Sequence, residues 1–275
     1  MLGKRILTAV IGIPVAAYVI NYGEWLFATA ILILTLLAWH EFYTMLQNKN
    51  IKIYYILGFV LNIVIAGCAW IGNSQELIMV MFISTLLALV KIVTSGAEFT
   101  VTDAAFSLLG IFYIGVSFAH LILLRYTDNS QYISTSLGQL SAGAAYLWIA
   151  FIGTWASDTF AYFVGTYLGK HKLCPKISPG KTIEGALGGL LGSVIVIVLL
   201  GNLFKLSIIH SMIMGLLIGI VAPIGDLVES VIKRFTGVKD SGRILPGHGG
   251  ILDRFDSILF VVPAIYYYIH AFVLK

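Results

Sequence analysis

Acidic, basic and glycine residues are concentrated in one stretch of this 275-residue chain, between residues 226 and 257. Carboxylate side chains stand at both ends of the stretch, with Asp226 and Glu229 first and Asp253 and Asp256 last. Hard oxygen ligands of this kind suit Mg²⁺, which binds one or two carboxylates together with substrate phosphates and water. Lysines and arginines lie between the acids and can meet the remaining phosphate charge. The stretch therefore has the parts that phosphoryl or nucleotidyl transfer requires.

The beginning of this stretch is predicted to be helical and its later part to be a glycine-rich turn. In a helix, Asp226, Glu229 and Lys233 fall on one face, at i, i+3 and i+7. The helix is predicted to end near Gly237, and Pro-Gly-His-Gly-Gly follows at residues 246–250. Such turns let backbone N–H groups approach an anion closely. The alternative is a solvated loop that its cations hold against anionic lipid, but the interleaved acids favour phosphate chemistry.

A second polar stretch covers residues 169–184 and contains Gly-Lys-Thr at 180–182. This tripeptide suggests a P-loop, but the P-loop also requires a glycine where this chain has Pro175. We therefore interpret Lys181 as a cation that faces a triphosphate or a lipid phosphate. The alternative is a lysine that extends beside lipid headgroups. Glu184 could orient this lysine or join a metal site.

Two further ionisable positions lie within or beside apolar segments. Asp158 lies inside an apolar segment, where an ionisable side chain is costly and usually faces an interior cavity. With Tyr162 one turn later, it could line a polar pocket; a helix–helix hydrogen bond is the structural alternative. His40 and Glu41 stand near the end of an apolar segment, and we interpret them as interfacial rather than catalytic.

The composition indicates that lipid surrounds most of the protein. Hydrophobic residues make up 59% of the chain and charged residues 11%, with a mean hydropathy of +0.95. A soluble domain carries roughly 25% charged residues, because its surface must face water. The two cysteines, Cys68 and Cys174, are far apart and predict neither a disulfide framework nor a cysteine-based zinc site.

Nine apolar segments approach the length of about 20 residues that a membrane-spanning helix needs. They are residues 6–20, 25–46, 53–71, 77–90, 104–124, 144–168, 183–203, 208–224 and 258–274. The predicted fold is an all-α, polytopic transmembrane bundle of about nine membrane-spanning helices. Small residues at helical spacing predict close packing of helices in lipid. These are the pairs Gly185/Gly189, Gly188/Gly192 and Gly215/Gly219.

The distribution of lysine and arginine predicts the orientation, because these residues are retained on the cytoplasmic side. With the N-terminus inside and nine alternating spans, 14 of the 17 lysines and arginines fall on the cytoplasmic side. Loops 169–184 and 226–257 then share that face, where we expect the active site. We divide the chain into N-terminal transmembrane helices, 1–142, and a C-terminal catalytic region, 143–275.

Fixed positions in the C-terminal half form a longer pattern. The pattern comprises Ser230, Lys233, Arg234, Lys239, Asp240, Gly242, Leu245, Pro246, His248, Gly249, Gly250, Asp253, Arg254 and Asp256. Two shorter patterns precede it, Ser178-Pro-x-Lys-Thr-x-Glu-Gly and Asp158-Thr-x-Ala-Tyr-x-x-Gly. Together they resemble the CTP:phosphatidate cytidylyltransferases, or CDP-diacylglycerol synthases, from about residue 155 to the end. The N-terminal half resembles that family only in hydropathy and in Glu41.

The resemblance implies a nucleotidyltransferase that converts CTP and phosphatidate to CDP-diacylglycerol and pyrophosphate with Mg²⁺. Its implied metal ligands are Asp226 and Asp253, with Asp256 and Glu229 as further candidates. Its implied catalytic residues are Asp226, Asp253, Lys239 and Lys181. Its implied substrate-binding residues are Ser178, Lys233, Arg234, Asp240, His248, Gly249, Gly250, Arg254 and Asp158. The basic side chains among them would hold phosphates, and the His-Gly-Gly turn would shape the nucleotide pocket.

Two alternatives remain open besides the leading one. A CTP-dependent polyprenol or phytol kinase would release CDP instead of pyrophosphate. A transporter would be expected to show inverted repeats and midplane charges, whereas this chain has no internal repeat and its charges cluster at one surface. The expected partners are CTP, phosphatidic acid, the lipid bilayer and a second copy of the chain as a homodimer, with no nucleic acid. The expected location is a bacterial-type cytoplasmic membrane.

Overall fold

The computed structural model describes residues 2–72, 74–128, 130–135, 138–244, 247 and 249–274 of the chain. Most of these residues are helical, and each of the nine predicted segments coincides with a helix. The α-helices are α1 Leu2–Tyr22, α2 Glu24–Gln47, α3 Tyr55–Ile71, α4 Ser74–Thr94, α5 Val101–Gly110, α6 Ser117–Tyr126, α7 Ala142–Leu168, α8 Ile183–Leu203, α9 Ile208–Thr236, α10 Leu252–Phe255 and α11 Ile258–Tyr268. Short π-helical segments, Ile111–Val116 and Ile269–Val273, join α5 to α6 and extend α11.

Six helical stretches within the described residues are long and apolar enough to cross a bilayer. They are Glu24–Gln47, Gln75–Thr94, Val101–Tyr126, Ala142–Leu168, Ile183–Leu203 and Ile208–Thr236. Two further apolar helices, Tyr55–Ile71 and Ile258–Val273, are shorter. The protein is therefore an integral membrane protein with several spans, and the number nine stays a prediction.

The expectation of an all-α fold was incomplete, because two short hairpins are present. Strands β1 Tyr132–Thr135 and β2 Gly138–Ser141 pair antiparallel. Strands β3 Lys172–Cys174 and β4 Ser178–Thr182 pair antiparallel inside the predicted loop 169–184. Backbone N–H and C=O groups need partners wherever water is scarce, and in these two connections a hairpin supplies them.

The second predicted loop, 226–257, begins as helix rather than as loop. Helix α9 continues through Asp226 and ends at Thr236, so the predicted helix end near Gly237 is confirmed. Gly237 has φ 76°, a conformation that glycine adopts readily. Of the residues that follow Gly237, those that the structure describes form no helix or strand until α10 begins at Leu252.

The chain forms two compact units. The first, unit 1, comprises Met1–Leu123 and Lys233–Arg254; the second, unit 2, comprises Leu124–Ile232 and Phe255–Lys275. The C-terminal segment 233–254 thus folds with the N-terminal helices. The division at residues 142 and 143, which we drew from the sequence to locate catalytic function, stays a prediction.

In unit 1, aromatic side chains of α2 form a rigid centre. Trp39 and Phe42 are fully buried, and the indole Nε1 of Trp39 donates to the carbonyl of Tyr55 at 3.1 Å. At the start of segment 233–254, the ring of Phe235 stacks on that of Phe106 with centroids 5.3 Å apart. This stacking attaches the returning segment to the N-terminal helices of the unit.

In unit 2, glycines allow α7, α8 and α9 to pack closely, as predicted. A Cβ at Gly188 would lie 2.6 Å from the side chain of Val164, and one at Gly215 would lie 2.6 Å from Cα of Val194. Side chains do not fit at such distances, so the backbones approach because these positions lack a Cβ. The packing holds α7 and the start of α8 side by side, which positions the residues described next.

Candidate functional site

A charged cluster in unit 2 is centred on Lys181 and Asp226. The ammonium of Lys181 lies 2.9 Å from Oδ2 of Asp226 and 3.5 Å from the carbonyl oxygen of Pro223. The hydroxyl of Ser230 lies 3.4 Å from Oδ1 of Asp226. Asp158 interacts electrostatically with both Asp226 and Lys181. Three predicted site residues are therefore neighbours: Asp158 in α7, Lys181 in β4 and Asp226 in α9.

Hairpin β3–β4 holds Lys181 in place. Lys181 precedes Thr182, whose hydroxyl caps α8 by accepting from the N–H of Gly185 at 3.1 Å. Glu184 accepts from the N–H groups of Lys170 and His171, and its Oε1 lies 2.6 Å from Nδ1 of His171. Glu184 therefore fixes the start of the hairpin, which is a different role from orienting Lys181 or binding a metal.

A second charged cluster, in unit 1, surrounds Asp253. Oδ1 of Asp253 accepts from the ammonium of Lys233 at 2.7 Å. Oδ2 accepts from the N–H groups of Ser241 and Gly250, each at 2.8 Å. Burial raises the pKa of the Asp253 carboxyl, but Lys233 and the N–H groups of Gly250 and Ser241 outweigh it, so that this pKa lies below its ordinary value. Asp253 is thus held as a carboxylate.

Glu41, on α2, belongs to the same cluster. Its side chain is buried, with the residue 2% exposed. Oε1 accepts from the N–H of Ile251 at 2.8 Å, and Oε2 accepts from the N–H of Leu252 and the hydroxyl of Ser241, each at 3.0 Å. The sequence did not predict that Glu41 is buried and bonded to residues of the C-terminal half. The sequence signal that could have identified Glu41 as a site residue is the one used for Asp158, namely an ionisable residue inside an apolar helix.

The glycine-rich turn does approach anions closely, and these anions are the protein's own carboxylates. A Cβ at Gly249 would lie 2.6 Å from Oδ2 of Asp253, and one at Gly242 or Gly250 would lie 2.5 Å from Glu41 carboxylate oxygens. The N–H group of Gly250 is bonded to Asp253, and those of Ile251 and Leu252 are bonded to Glu41.

Comparison with known proteins gives the family. The model of the cytidylyltransferase family matches residues 3–272. The chain belongs to this family. Relatives named phosphatidate cytidylyltransferase include one from Staphylococcus haemolyticus, 39% identical over 94% of this chain and 95% of its own. Another, from Bacillus subtilis, is 35% identical over 98% of both chains. Both charged clusters lie within the matched region.

The other predicted residues of this cytidylyltransferase-family chain are distributed between the two units. Lys239, Asp240, Arg234 and Arg254 are exposed in unit 1, whereas Glu229 is buried in unit 2 with 1% exposure. Of the remaining predicted site residues, Ser178 lies in β4 and Asp256 follows α10. His248 lies outside the described residues. Asp226 and Asp253 belong to different units, so their joint binding of one cation stays a prediction.

The two predicted metal ligands fit a magnesium ion unequally. Within the part of the chain that the structure describes, three or more His, Cys, Asp or Glu side chains do not gather into a metal site. Mg²⁺ does not require this, since it binds one or two carboxylates plus phosphates and waters. Asp226 fits well, because its side chain is 36% exposed and the contact of its Oδ1 with Ser230 is long. Asp253, 7% exposed, would have to bind through Oδ1, which now contacts Lys233.

Proposed function

We propose that this protein is a phosphatidate cytidylyltransferase that transfers CMP from CTP to phosphatidic acid in phospholipid biosynthesis. The supporting observation is similarity along nearly the whole chain to proteins of that name, at 39% identity over 94% of the chain for one of them. Two charged clusters, one around Asp226 and one around Asp253, support the proposal, because phosphate transfer needs acidic and basic side chains together.

The proposed reaction is a direct displacement. A phosphate oxygen of phosphatidic acid attacks the α-phosphorus of CTP, the bond from that phosphorus to the bridging oxygen breaks, and pyrophosphate leaves with the electron pair. The nucleophile is already anionic and needs little help from a general base. The enzyme must therefore act mainly by positioning the substrates and stabilising charge.

Specific residues would divide this work. Asp226 and Asp253 would hold Mg²⁺, with Asp256 and Glu229 as further candidates, and the ion when bound supplies positive charge to the phosphate oxygens. Lys181, Lys233 and Lys239 would stabilise the negative charge of the phosphates, together with Arg234 and Arg254. The remaining predicted substrate contacts are Ser178, Asp158, Asp240, His248, Gly249 and Gly250.

We further propose that the protein crosses a bacterial-type cytoplasmic membrane about nine times and forms a homodimer. Its active site would face the cytoplasm. The bias of 14 of 17 lysines and arginines supports this orientation. Cys174, in β3, offers a test. In a Cys68→Ser background, a membrane-impermeant maleimide should label Cys174 in inside-out vesicles and not in intact cells. Labelling in intact cells would refute the orientation.

The activity is tested with purified protein in detergent, CTP labelled at the α-phosphate, phosphatidic acid and Mg²⁺. We expect labelled CDP-diacylglycerol and an equal amount of pyrophosphate, both lost when any component is omitted. A polyprenol or phytol kinase would instead give CDP and a phosphorylated lipid when supplied with the alcohol. That outcome would replace the proposal.

The metal-binding role of Asp226 is tested by Asp226→Asn and Asp226→Cys. Asp226→Asn should abolish turnover while the protein still inserts in the membrane. Asp226→Cys should be inactive with Mg²⁺ and regain part of its activity with Cd²⁺, because thiolates prefer softer ions. The matched control is Asp128→Asn, in the turn after α6. Substantial activity of Asp226→Asn with Mg²⁺ would remove this residue from the metal site.

A further inference from the structure

We propose that Glu41 is a positioning residue for the reaction: its buried carboxylate fixes Ser241, Ile251 and Leu252 and thereby the orientation of Asp253. The inference rests on the proposed function only in that Asp253 is taken to act on the substrates or their metal. Glu41 itself would touch neither, because its residue is 2% exposed.

The carboxylate of Glu41 joins α2 to a segment that lies 200 or more positions away in sequence. It accepts from the hydroxyl of Ser241 and from the N–H groups of Ile251 and Leu252, the two residues before Asp253. Hydrogen bonds to a charged acceptor are shorter and about twice as strong as those between neutral groups. One side chain therefore holds Ser241 and the two residues that precede Asp253.

Glu41 stands on a rigid support. The neighbouring Trp39 and Phe42 on α2 are fully buried, and Trp39 is bonded to the carbonyl of Tyr55. A site built on a helix whose side chains are fixed by packing is held more firmly than one built on a loop. Glu41 transfers that rigidity to the segment that carries Asp253.

Ser241 connects the two carboxylates directly. Its hydroxyl lies 3.0 Å from Oε2 of Glu41 and 3.0 Å from Oδ2 of Asp253, and it also accepts from the N–H of Asp253 at 3.3 Å. A hydroxyl has one proton to donate, so it serves one carboxylate at a time. The hydrogen bonds of Asp253 therefore depend on the position and charge of Glu41.

The position requires a carboxylate rather than an amide. Glu41 meets one hydroxyl and two N–H donors, so a glutamine there would turn its NH₂ group toward at least one of them. A donor facing a buried donor leaves both unsatisfied, which costs free energy. Glu41→Gln, although equal in size, should release part of the segment.

The test compares Glu41→Gln with Glu24→Gln, the same change at an exposed position of the same helix. Two measurements are made on each full-length protein in detergent: steady-state kinetics as a function of Mg²⁺ concentration, and hydrogen exchange at the amides of residues 250–253. For Glu41→Gln we expect kcat to fall about 100-fold, as for an active-site group misplaced by about 1 Å. The Mg²⁺ requirement should rise, exchange at Ile251 and Leu252 should accelerate, and Glu41→Asp should recover part of kcat.

Each result either supports or overturns the inference. Faster exchange together with a lower kcat and a raised Mg²⁺ requirement supports it. Faster exchange with unchanged kinetics would show a structural role only, and unchanged exchange would show that Glu41 does not fix the segment; both overturn it. If Glu41→Gln is not monodisperse, Ser241→Ala decides by the same two measurements. If the wild type and Glu24→Gln make no CDP-diacylglycerol, the proposed function fails, and the exchange data still report on the link between Glu41 and its segment.

Discussion

The two lysine–aspartate pairs should contribute very differently to stability, although their distances are similar. Lys233 lies 2.7 Å from Asp253 with side chains 13% and 7% exposed, and Lys181 lies 2.9 Å from Asp226 with side chains 23% and 36% exposed. We predict that Lys233→Met destabilises the protein much more than Lys181→Met does.

The magnitude follows from burial. Removing one partner of a buried ion pair costs roughly 3–5 kcal/mol, because the other charge is left uncompensated. We expect the lower end, about 3 kcal/mol, since Asp253 keeps its hydrogen bonds from Ser241 and Gly250. Exposed pairs contribute about 0–1 kcal/mol, which is the range we expect for Lys181 after screening by solvent. At roughly 2–4 °C per kcal/mol, the melting temperature should fall by about 6–12 °C for Lys233→Met and by at most about 4 °C for Lys181→Met.

The assay heats detergent-solubilised protein and measures the monodisperse fraction that remains by size-exclusion chromatography. The two variants carry the same substitution, so differences in side-chain hydrophobicity largely cancel. Equal losses of melting temperature in both variants would contradict the predicted dependence on burial, as would an unchanged melting temperature for Lys233→Met.

Three more predictions concern two closely packed glycines and the start of hairpin β3–β4. Gly250→Ala should lower both the melting temperature, by several degrees, and kcat, because the added methyl group would overlap the buried carboxylate of Glu41. Gly67→Ala is the control and should change neither, because the space around Gly67 is open. Gly188→Val should prevent recovery of monodisperse protein, since α7 and α8 cannot then approach; normal recovery would contradict the close packing. Glu184→Gln should change the melting temperature little, because its partner His171 is exposed. It should, however, speed tryptic cleavage at the neighbouring lysines. Cleavage at the wild-type rate would count against the role of Glu184 in fixing the hairpin.

The helices and their glycine contacts could be predicted because lipid imposes a simple rule. A backbone in hydrocarbon must satisfy its own hydrogen bonds, so apolar segments such as 208–224 are helical, and small residues mark where helices meet. For residues 226–234, the spacing showed only that a helix would place Asp226, Glu229 and Lys233 on one face. The pairing of Lys181 with Asp226 did not follow, because nothing in the sequence relates a strand residue to a helix residue 45 positions away.

The partners of Glu41 could not be predicted from local sequence for the same reason. Its partners, Ser241, Ile251 and Leu252, include two backbone N–H groups, which carry no signal in residue type. Hairpin β3–β4 was missed because its strands are only three and five residues long and contain proline and glycine. Motif positions predicted which residues act on the substrates, whereas the structure was needed to find which of them are neighbours.

The contact between Glu41 and residues 251 and 252 also constrains the order of assembly during translation. The ribosome makes Ile251 210 residues after Glu41, so α2 must enter the membrane before any of these hydrogen-bond donors exists. An ionised carboxylate is expensive to bury in lipid without partners, and α2 therefore cannot settle into its final place at that stage. Unit 1 becomes complete only when segment 233–254 emerges, and a nascent chain stopped before residue 241 should leave its early helices exposed to quality-control proteases.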